Sequence, residues 1–353
     1  MNEIHEINNL KQLIITNYFF KDARQKEEFK ISNFSTGKDM FRWFQDGHCC
    51  LISPSIPSKN TPILKQLFWF ENNLYAVFNI FGKAQLQCGQ IDQVQNQSLG
   101  YRVSQEILNY PQASKSLILS WIIEDIVKEN LKVSFKNIIE IDRKRVGHAL
   151  MNNVSEINII HGCFCCKITE KTAYIKLFHF SSIYCSKDIQ DFLDNGTYKM
   201  LVIDIRNGLG GKVTIAQEVL SLFTLKDIEF DYTVNSRDAI FARMVKKGTT
   251  KMWNIKILIN RYTRSSMEFI FLYGLLRSGQ SIITFGEKTF GLSGQAKEFI
   301  MGRNKILLTN RRYLIEGKEI IEGISPVVIM ESTFHDFVYN EDSLLTEVLE
   351  YCE

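Results

Sequence analysis

The sequence predicts an α/β fold with a largely parallel sheet in the C-terminal half of the chain. From about residue 171, short apolar runs alternate with segments of helical periodicity, which is the pattern of strand–helix–strand units. One of these runs, Met200–Ile205, leads directly into the glycine-rich turn Gly208–Gly211. Active sites of such sheets collect at the carboxyl ends of the strands, so this turn is a candidate site.

Each element of the α/β region is predicted by its own pattern. Apolar runs predict the strands and amphipathic spacing predicts the helices between them. The strands are predicted over 173–180, 200–205, 255–260 and 281–285, and the helices over 186–194, 213–223 and 266–277.

The upstream half of the chain is different in character. Residues 1 to about 45 are predicted to be helical and charged, and 111–130 form a strong amphipathic helix that starts at Pro111. Strands are predicted at 67–70, 74–78 and 90–94, separated by Asn and Gly turn signals. The predicted domains are a helical region over 1–60, a β segment with a linking helix over 61–164, and the α/β domain over 165–353.

Composition excludes several function classes. The chain has 353 residues with 45% hydrophobic and 23% charged residues, an ordinary globular balance with room for two or three modules. The net charge of +3 is spread along the sequence and predicts no nucleic-acid partner. The longest apolar runs are far below the roughly 20 residues of a membrane span. The first residues do not have the pattern of a secretory signal, so a cytoplasmic location is expected.

The eight cysteines are expected to be reduced in such a compartment. Cys163, Cys165 and Cys166 lie within four residues, but their spacing does not fit a zinc knuckle and no second pair follows at zinc-site distance. The sequence therefore predicts ordinary buried or strand cysteines there, and no metal.

Two segments carry the chemistry of acyl transfer. Ser265 follows the strand predicted over 255–260 and precedes a helix, where a serine hydroxyl is exposed near helix N–H groups. The glycine turn offers bare N–H groups for an oxyanion. For the serines, the alternative is a helix cap formed with Glu268. For the turn, the alternative is a phosphate cradle, but neither the Rossmann nor the P-loop spacing is present.

A serine nucleophile needs a base, and histidine is the usual one. His48, in the turn Asp46–Gly47–His48, is the candidate; His5, His148, His161, His179 and His335 are the other histidines. Lys288 is a candidate for a serine–lysine dyad, with a solvent-facing lysine as the alternative. Glu316, Glu319 and Glu322 surround a late turn, where any of them could orient a histidine.

Taken together, these stretches resemble the C-terminal (tail-specific) processing protease family, in particular its tricorn-core-like and retinoid-binding-protein-like serine peptidase branch. The motifs occur in the family's order across most of the chain. They are the Asp46–His48 turn, a drifted PDZ-like segment with Gly89, Ile91, Val94 and Ser98, Ala173–Leu177 with Phe180–Ser181, Asp204–Gly211, Ser265–Glu268, Gly286–Gly291 and Glu322–Pro326.

The resemblance implies a ClpP/crotonase-like catalytic domain preceded by a helical and β, PDZ-like region. It implies Ser265 as nucleophile, with an oxyanion hole from the N–H groups of Gly210 or Gly211 and of Ser266. The lysine that follows "G-E-K-T-F-G" in one branch is Leu292 here, which cannot accept a proton. His48 is therefore expected to be the base, oriented by Glu322 or, next, Glu319.

The implied activity is hydrolysis of peptide bonds in peptides or protein tails through an acyl-enzyme, with no cofactor; a homo-oligomer is left open. Cys49 in place of the family's threonine, Val327 in place of an aspartate, and Arg264 and Ser266 beside the nucleophile depart from the family pattern. They keep open a second hypothesis, a weakened or inactive peptidase fold that binds peptides as a scaffold. A crotonase-like acyl-CoA enzyme is a third, for which the sequence offers no adenine-nucleotide site.

Overall fold

The computed structural model describes most of the α/β half of the chain and parts of the N-terminal half. The described residues are 2–17, 23–34, 36–44, 50–52, 63–70, 73–79, 86–109, 118, 121–122, 125, 133–141, 156–234, 240–291, 294–301, 304–315, 318–319, 323–331, 333, 336 and 342–351.

The helices and strands follow in chain order. The α-helices are Asn2–Asn17, Ala23–Ile31, Gly37–Trp43, Leu99–Asn109, Glu156–His161, Tyr184–Asp194, Val213–Ser221, Tyr273–Leu276 and Ser343–Glu350, and a π-helix spans Met267–Leu272. The strands are β1 (Cys50–Ile52), β2 (Ile63–Phe70), β3 (Asn73–Asn79), β4 (Leu86–Val94), β5 (Gln97–Ser98), β6 (Val133–Ile141), β7 (Cys163–Lys167), β8 (Thr172–Leu177), β9 (Met200–Asp204), β10 (Ile228–Val234), β11 (Ile240–Val245), β12 (Asn254–Ile259), β13 (Ser281–Gly286), β14 (Gly294–Met301), β15 (Asn304–Ile315), β16 (Lys318–Glu319) and β17 (Val328–Ile329).

A parallel sheet forms the centre of the α/β region. Its strand order is β17-β13-β12-β9-β8-β7, and all neighbours are parallel except the β7–β8 edge pair. Every residue of β8 is buried, as are all residues of β12 after Asn254, so both faces of the sheet are covered at these strands. The predicted α/β class and the predicted strand–helix alternation are confirmed.

The helices bury apolar residues at the spacing that predicted them. Tyr184–Asp194 buries Cys185, Ile189 and Leu193, one per turn, and Val213–Ser221 buries its own stripe that includes Ala216 and Val219. The segment predicted as one helix over 266–277 is a π-helix that continues into a short α-helix. Every residue of the π-helix is buried, including Glu268. π-helical turns occur frequently at functional sites.

A second, antiparallel sheet was not predicted. Its order is β1-β15-β10-β11, and β14 and β16 also pair with β15. Its strands carry many exposed residues, so they lack the continuous apolar runs of the parallel sheet. The predicted N-terminal helices are present, and Leu10, Ile14 and Phe29 form a core with Ile306 and Leu308 of β15.

Clustering of contacts divides the chain into two units, Met1–Pro54 with Ser155–Ile329, and Ser55–Val154 with Met330–Glu353. Both sheets above belong to the first unit. In the second, a sheet of order β2-β3-β4-β5, with β6 against β4, includes the strands predicted at 67–70, 74–78 and 90–94. Ile118, Trp121, Ile122 and Asp125 are helical, as predicted for 111–130. The three predicted domains and the PDZ-like segment stay predictions.

The predicted cysteine strand is confirmed as β7. The thiol of Cys163 is buried and lies 3.6 Å from the carbonyl oxygen of Cys185, on the helix packed against this strand. Hydrogen bonds from the Cys165 and Cys185 thiols lower the pKa of Cys163 to about 5, while the bond to Cys163 and then burial raise the pKa of Cys185. None of the described helices is long and apolar enough to cross a membrane.

Candidate active site

Ser265 lies in a tight turn after β12, at the carboxyl end of the parallel sheet. Its backbone has φ +59°, a left-handed conformation that a non-glycine residue rarely adopts. Such a conformation costs of order 1–3 kcal/mol and persists where the surrounding structure enforces it, often at active sites. The side chain is partly exposed, whereas the next residue, Ser266, is fully buried. The structure therefore presents one of the two serines at the surface of the turn.

Contacts from two strand ends enforce this conformation. The Thr263 hydroxyl, fully buried, donates to the Ile205 carbonyl at 2.9 Å, which joins the turn to the end of β9. The Arg264 N–H donates to the Gly208 carbonyl at 3.1 Å. On the helix side, the Glu268 and Phe269 N–H groups both donate to the Ser265 carbonyl, at 2.9 and 3.0 Å. The turn is thus fixed before and after the serine.

The glycine turn approaches the serine so closely that side chains are excluded. Gly210 has φ +79°, and a Cβ atom there would lie 2.7 Å from the Ser265 Cβ and 2.9 Å from the Ser266 nitrogen. Gly211 has φ +139°, and its Cβ would lie 2.5 Å from the Phe180 carbonyl oxygen. Real Cβ atoms do not come this close to other atoms, so glycine is required at both positions.

Phe180 holds this glycine loop through its backbone. Its N–H donates to the Gly210 carbonyl at 2.8 Å, and its own carbonyl accepts from the Lys212 N–H at 2.7 Å. Its side chain is fully buried against Phe271 of the π-helix, with ring centroids 5.8 Å apart. One residue therefore ties the loop to both the sheet and the helix behind Ser265.

Three backbone donors remain available around the serine. Within the described part of the chain, the N–H groups of Gly210, Gly211 and Ser266 have no acceptor. Gly210 and Ser266 are buried, and a buried N–H without an acceptor is rare in folded proteins. Donors that are left unpaired beside a nucleophile are the physical requirement of an oxyanion hole.

The helix-cap interpretation is wrong for the Ser266 side chain. Ser266 occupies the N-cap position, but its side chain makes no cap hydrogen bond and instead donates to the Gly211 carbonyl at 3.1 Å. Glu268 is fully buried, three residues after Ser265. Its carboxylate accepts from the Thr289 hydroxyl and from the Gly291 N–H at 3.0 Å. Both side chains link separate segments of the site.

A buried charge cluster fixes the start of the glycine turn. The Asp204 carboxylate accepts from Tyr174 Oη at 2.8 Å, Lys176 Nζ at 2.9 Å and the Arg206 guanidinium at 2.6 Å. Burial alone would raise the pKa of Asp204, but the charges of Arg206 and Lys176 outweigh it and hold that pKa well below its usual range. Arg206 thus pairs with the carboxylate two residues before it in the sequence.

Asparagine side chains join the two turns, a contact that the sequence did not predict. The Asn207 N–H donates to Asn260 Oδ1 at 2.9 Å, and Asn260 Nδ2 donates to Asn207 Oδ1 at 3.0 Å. Asn207 also has a positive φ of 59°. Asparagine is enriched in this conformation, so an Asn-Gly pair after a strand was a usable signal.

The segment Gly286–Gly291 provides structural contacts. Glu287 forms an ion pair with Arg261, whose Nε lies 3.0 Å from the Glu287 carboxylate. Lys288 is exposed, and Thr289 is buried.

Several predicted site residues cannot be placed. His48 and Glu322, as well as Leu292, lie outside the described residues, so the expected His48–Glu322 pair stays a prediction. Glu319 lies in β16, and its side chain is outside the described part. Among the other histidines, His161 Nδ1 lies 2.6 Å from Asp188 Oδ2, and His179 Nδ1 lies 2.6 Å from Ser181 Oγ. The structure thus brings together Ser265, Ser266, Gly210 and Gly211.

A strained serine and unpaired backbone donors at the carboxyl ends of parallel strands define a serine-hydrolase type of site on an α/β fold. Residues 171–330 match the family model described as "Peptidase family S41". The matched segment contains Ser265 and the glycine loop, and the predicted family resemblance is confirmed.

Solved structures share the fold over almost the whole chain. Mature CPAF matches with a TM-score of 0.67 and 12% identity, covering 99% of this chain and 95% of that one. A putative S41 protease from Bacteroides fragilis gives 0.54 and 12%, covering 97% and 96%. The photosystem II D1 C-terminal processing protease gives 0.52 and 15%, covering 98% and 99%. No curated protein matches the sequence.

Proposed function

We propose that the protein is a serine endopeptidase that cleaves peptides or protein tails through an acyl-enzyme. Ser265 is the nucleophile, His48 the general base and Glu322 the residue that orients the histidine. The observation that carries the proposal is the contact between the left-handed Ser265 and the glycine loop, where a Gly210 Cβ would lie only 2.7 Å from the serine. Backbone donors close to the hydroxyl that would attack are what the proposed reaction requires.

Each residue has a defined step in the proposed reaction. The Ser265 hydroxyl attacks the peptide carbonyl as His48 takes its proton, and the resulting oxyanion accepts N–H bonds from Gly210 or Gly211 and from Ser266. The intermediate collapses when His48 returns the proton to the leaving amine. Water then hydrolyses the acyl-enzyme by the same route. Glu322 keeps His48 in the tautomer that accepts a proton from the serine.

The two adjacent serines have different roles in this proposal. Ser266 is fully buried, and its hydroxyl donates to the Gly211 carbonyl at 3.1 Å. Its backbone N–H, rather than its side chain, is suited to donate a hydrogen bond to the oxyanion. Ser265 is partly exposed, and its strained φ turns it out of the helix that follows. An exposed nucleophile on a strained strand-to-helix turn is a recurring arrangement in serine hydrolases.

A fluorophosphonate probe tests whether Ser265 is an activated nucleophile. The wild-type protein is expected to be labelled, and Ser265→Ala is expected to lose the label. Ser181→Ala is the matched control, because Ser181 is exposed and hydrogen-bonded to a histidine, at 2.6 Å from His179 Nδ1. Labelling that survives in Ser265→Ala would overturn the assignment. A folded wild-type protein without labelling would favour the inactive, peptide-binding scaffold.

The substrate class needs a separate measurement. An unfolded polypeptide should be cut at internal bonds, and mass spectrometry of the products identifies the sites. Comparison with the same polypeptide carrying an amidated C-terminus distinguishes recognition of the tail from general endopeptidase activity. Slower cleavage of the amidated form supports recognition of the tail, whereas equal cleavage supports a general endopeptidase. Products that differ from the substrate by single terminal residues would contradict the endopeptidase proposal.

A further inference from the structure

We propose that Glu268 and Thr289 are positioning residues that hold the segment after Glu322 in register with the Ser265 turn. This inference rests on the proposed function, because it assigns Glu322 to the catalytic machinery. It concerns the side chains that join the π-helix to the closing segment Gly323–Ile324. Neither side chain is expected to contact the substrate.

The contacts form a continuous chain through buried atoms. Glu268 is fully buried, and Thr289 is 4% exposed. The Thr289 hydroxyl donates to Glu268 Oε1 and accepts from the Ile324 N–H at 2.6 Å. The Thr289 N–H donates back to the Ile324 carbonyl at 3.0 Å. The Thr289 hydroxyl thus donates a hydrogen bond to the helix that follows Ser265 and accepts one from the closing segment.

Both ends of this chain lie next to proposed catalytic groups. At one end, the Glu268 N–H donates to the Ser265 carbonyl at 2.9 Å, so Glu268 is part of the turn that strains the serine. At the other end, Ile324 stands two residues after Glu322 in the sequence. The network therefore connects the backbone at Ser265 with the backbone beside the proposed orienting carboxylate.

The closing segment has little freedom at this point. Gly323 has φ +82°, and a Cβ there would lie 2.2 Å from the Thr289 carbonyl oxygen. The Glu268 carboxylate also accepts from the Gly291 N–H, at 3.0 and 3.1 Å from its two oxygens. Glu268 therefore fixes both ends of the short segment 289–291, and Thr289 in turn fixes Gly323–Ile324.

Stability alone is a poor explanation for a carboxyl group at this place. A buried polar or charged group costs free energy unless it is paired, and an apolar side chain of similar volume often serves a core equally well. Fully paired polar groups instead specify a unique arrangement of the segments they join. That specificity is needed where a carboxylate must orient a base, because a misplacement of about 1 Å can cost roughly 100-fold in rate.

The test compares two buried threonines that hold the same closing segment. Thr289→Val removes the hydroxyl at nearly constant volume. Thr284→Val is the matched control: Thr284 is 2% exposed and its hydroxyl accepts from the Val327 N–H at 2.9 Å, three residues farther along the segment than Ile324. Thr289→Val is expected to lower kcat by roughly 10–100-fold with little change in KM, whereas Thr284→Val changes kcat little. Thr289→Ser, which retains the hydroxyl, should restore most of kcat.

Two further results make the outcome decisive. In a Glu322→Gln background, Thr289→Val should lower kcat little further, since both changes remove the same function. If Thr289→Val does not fold, Glu268→Gln replaces it and should lower kcat more than Thr284→Val does. Equal losses of kcat in the Thr289 and Thr284 variants would overturn the positioning role and leave only a structural one. An inactive wild-type protein would overturn the proposed function itself, a distinct outcome.

Discussion

The two sheets of the first unit carry different parts of the proposed active site. The parallel sheet presents Ser265 after β12 and the glycine loop after β9. The antiparallel sheet is flanked in sequence by the other two predicted residues. His48 stands two residues before β1, and Glu322 stands three residues after β16. The proposed nucleophile and oxyanion donors thus follow strands of one sheet, whereas the proposed base and its orienting residue are close in sequence to strands of the other.

This division teaches where each kind of catalytic precision comes from. On the parallel sheet, backbone geometry supplies it: positive φ angles, glycines that admit close approach, and N–H groups without acceptors among the described residues. The proposed base and its orienting residue are far from Ser265 in sequence, so the proposal requires long-range tethers such as the hydrogen bonds of Thr289.

The largest effect is expected for the base. His48→Ala should lower kcat by roughly 10⁴-fold or more, because the serine loses its proton acceptor and the leaving amine loses its donor. His179→Ala is the control on the parallel-sheet side, where His179 follows β8 and binds Ser181. Rates of peptide cleavage are measured for both variants. A large loss in His179→Ala, with His48→Ala active, would assign the base to the parallel sheet and break the comparison.

The buried carboxylate of Asp204, in the parallel sheet, should make a large contribution to the free energy of unfolding. Asp204→Asn leaves Lys176 and Arg206 without their shared buried partner, which is expected to cost about 3–5 kcal/mol of unfolding free energy. In the antiparallel sheet, Glu298 and Lys305 pair at 3.3 Å with side chains 49% and 55% exposed, and Glu298→Gln should cost at most about 1 kcal/mol. Urea unfolding of both variants measures the difference.

The pH dependence of the Asp204 effect has a definite sign. Because the folded-state pKa of Asp204 lies well below its unfolded value, the folded state binds fewer protons near pH 4. Its contribution is therefore complete above about pH 4 and is lost as the pH falls toward the folded pKa. The stability gap between wild type and Asp204→Asn should narrow in acid. A gap that widens in acid would contradict the ion-pair account.

A smaller effect is expected when the glycine loop is changed. Gly210→Ala places a methyl group against Ser265 and the Ser266 nitrogen, and should lower kcat by roughly 10²–10³-fold through the displaced oxyanion donors. Gly279→Ala is the control, because its φ is +89° but its Cβ would lie 3.4 Å from the nearest atom, the Leu225 Cβ. Both variants lose stability from backbone strain, so only the kcat values separate them. Equal kcat values would place the oxyanion hole elsewhere.

The parallel sheet could be predicted from sequence because each of its strands and helices has a recognisable pattern within its own segment. Strands buried on both faces read as apolar runs such as Met200–Ile205, and the helices between them show their own period. The strands β14 and β15 carry half-exposed side chains in mixed order, so residues 294–315 gave no usable period. The antiparallel sheet depends on pairing between strands that are far apart in sequence, such as β15 and β1.

The sequence indicates which residues could form the candidate site, but it does not indicate their conformation. The order of the motifs identified Ser265 and the glycines. The positive φ of Ser265 and the fit of Gly210 against it depend on Thr263, Arg264 and Glu268 acting together, which no single spacing encodes. Glu268 illustrates the limit: its position three residues after Ser265 suggested a cap, yet its carboxylate binds Thr289 and Gly291, more than twenty residues away.

The smallest effect should come from the second serine, and it decides which serine reacts. Ser266→Ala removes one neutral hydrogen bond to the Gly211 carbonyl but keeps the backbone N–H proposed for the oxyanion. Since such a bond contributes about 0.5–1.5 kcal/mol, kcat should fall by no more than about tenfold. Labelling by the fluorophosphonate should persist. If Ser266→Ala instead abolished both while Ser265→Ala retained them, the buried serine would be the nucleophile, and the strained φ of Ser265 would serve only to aim its neighbour.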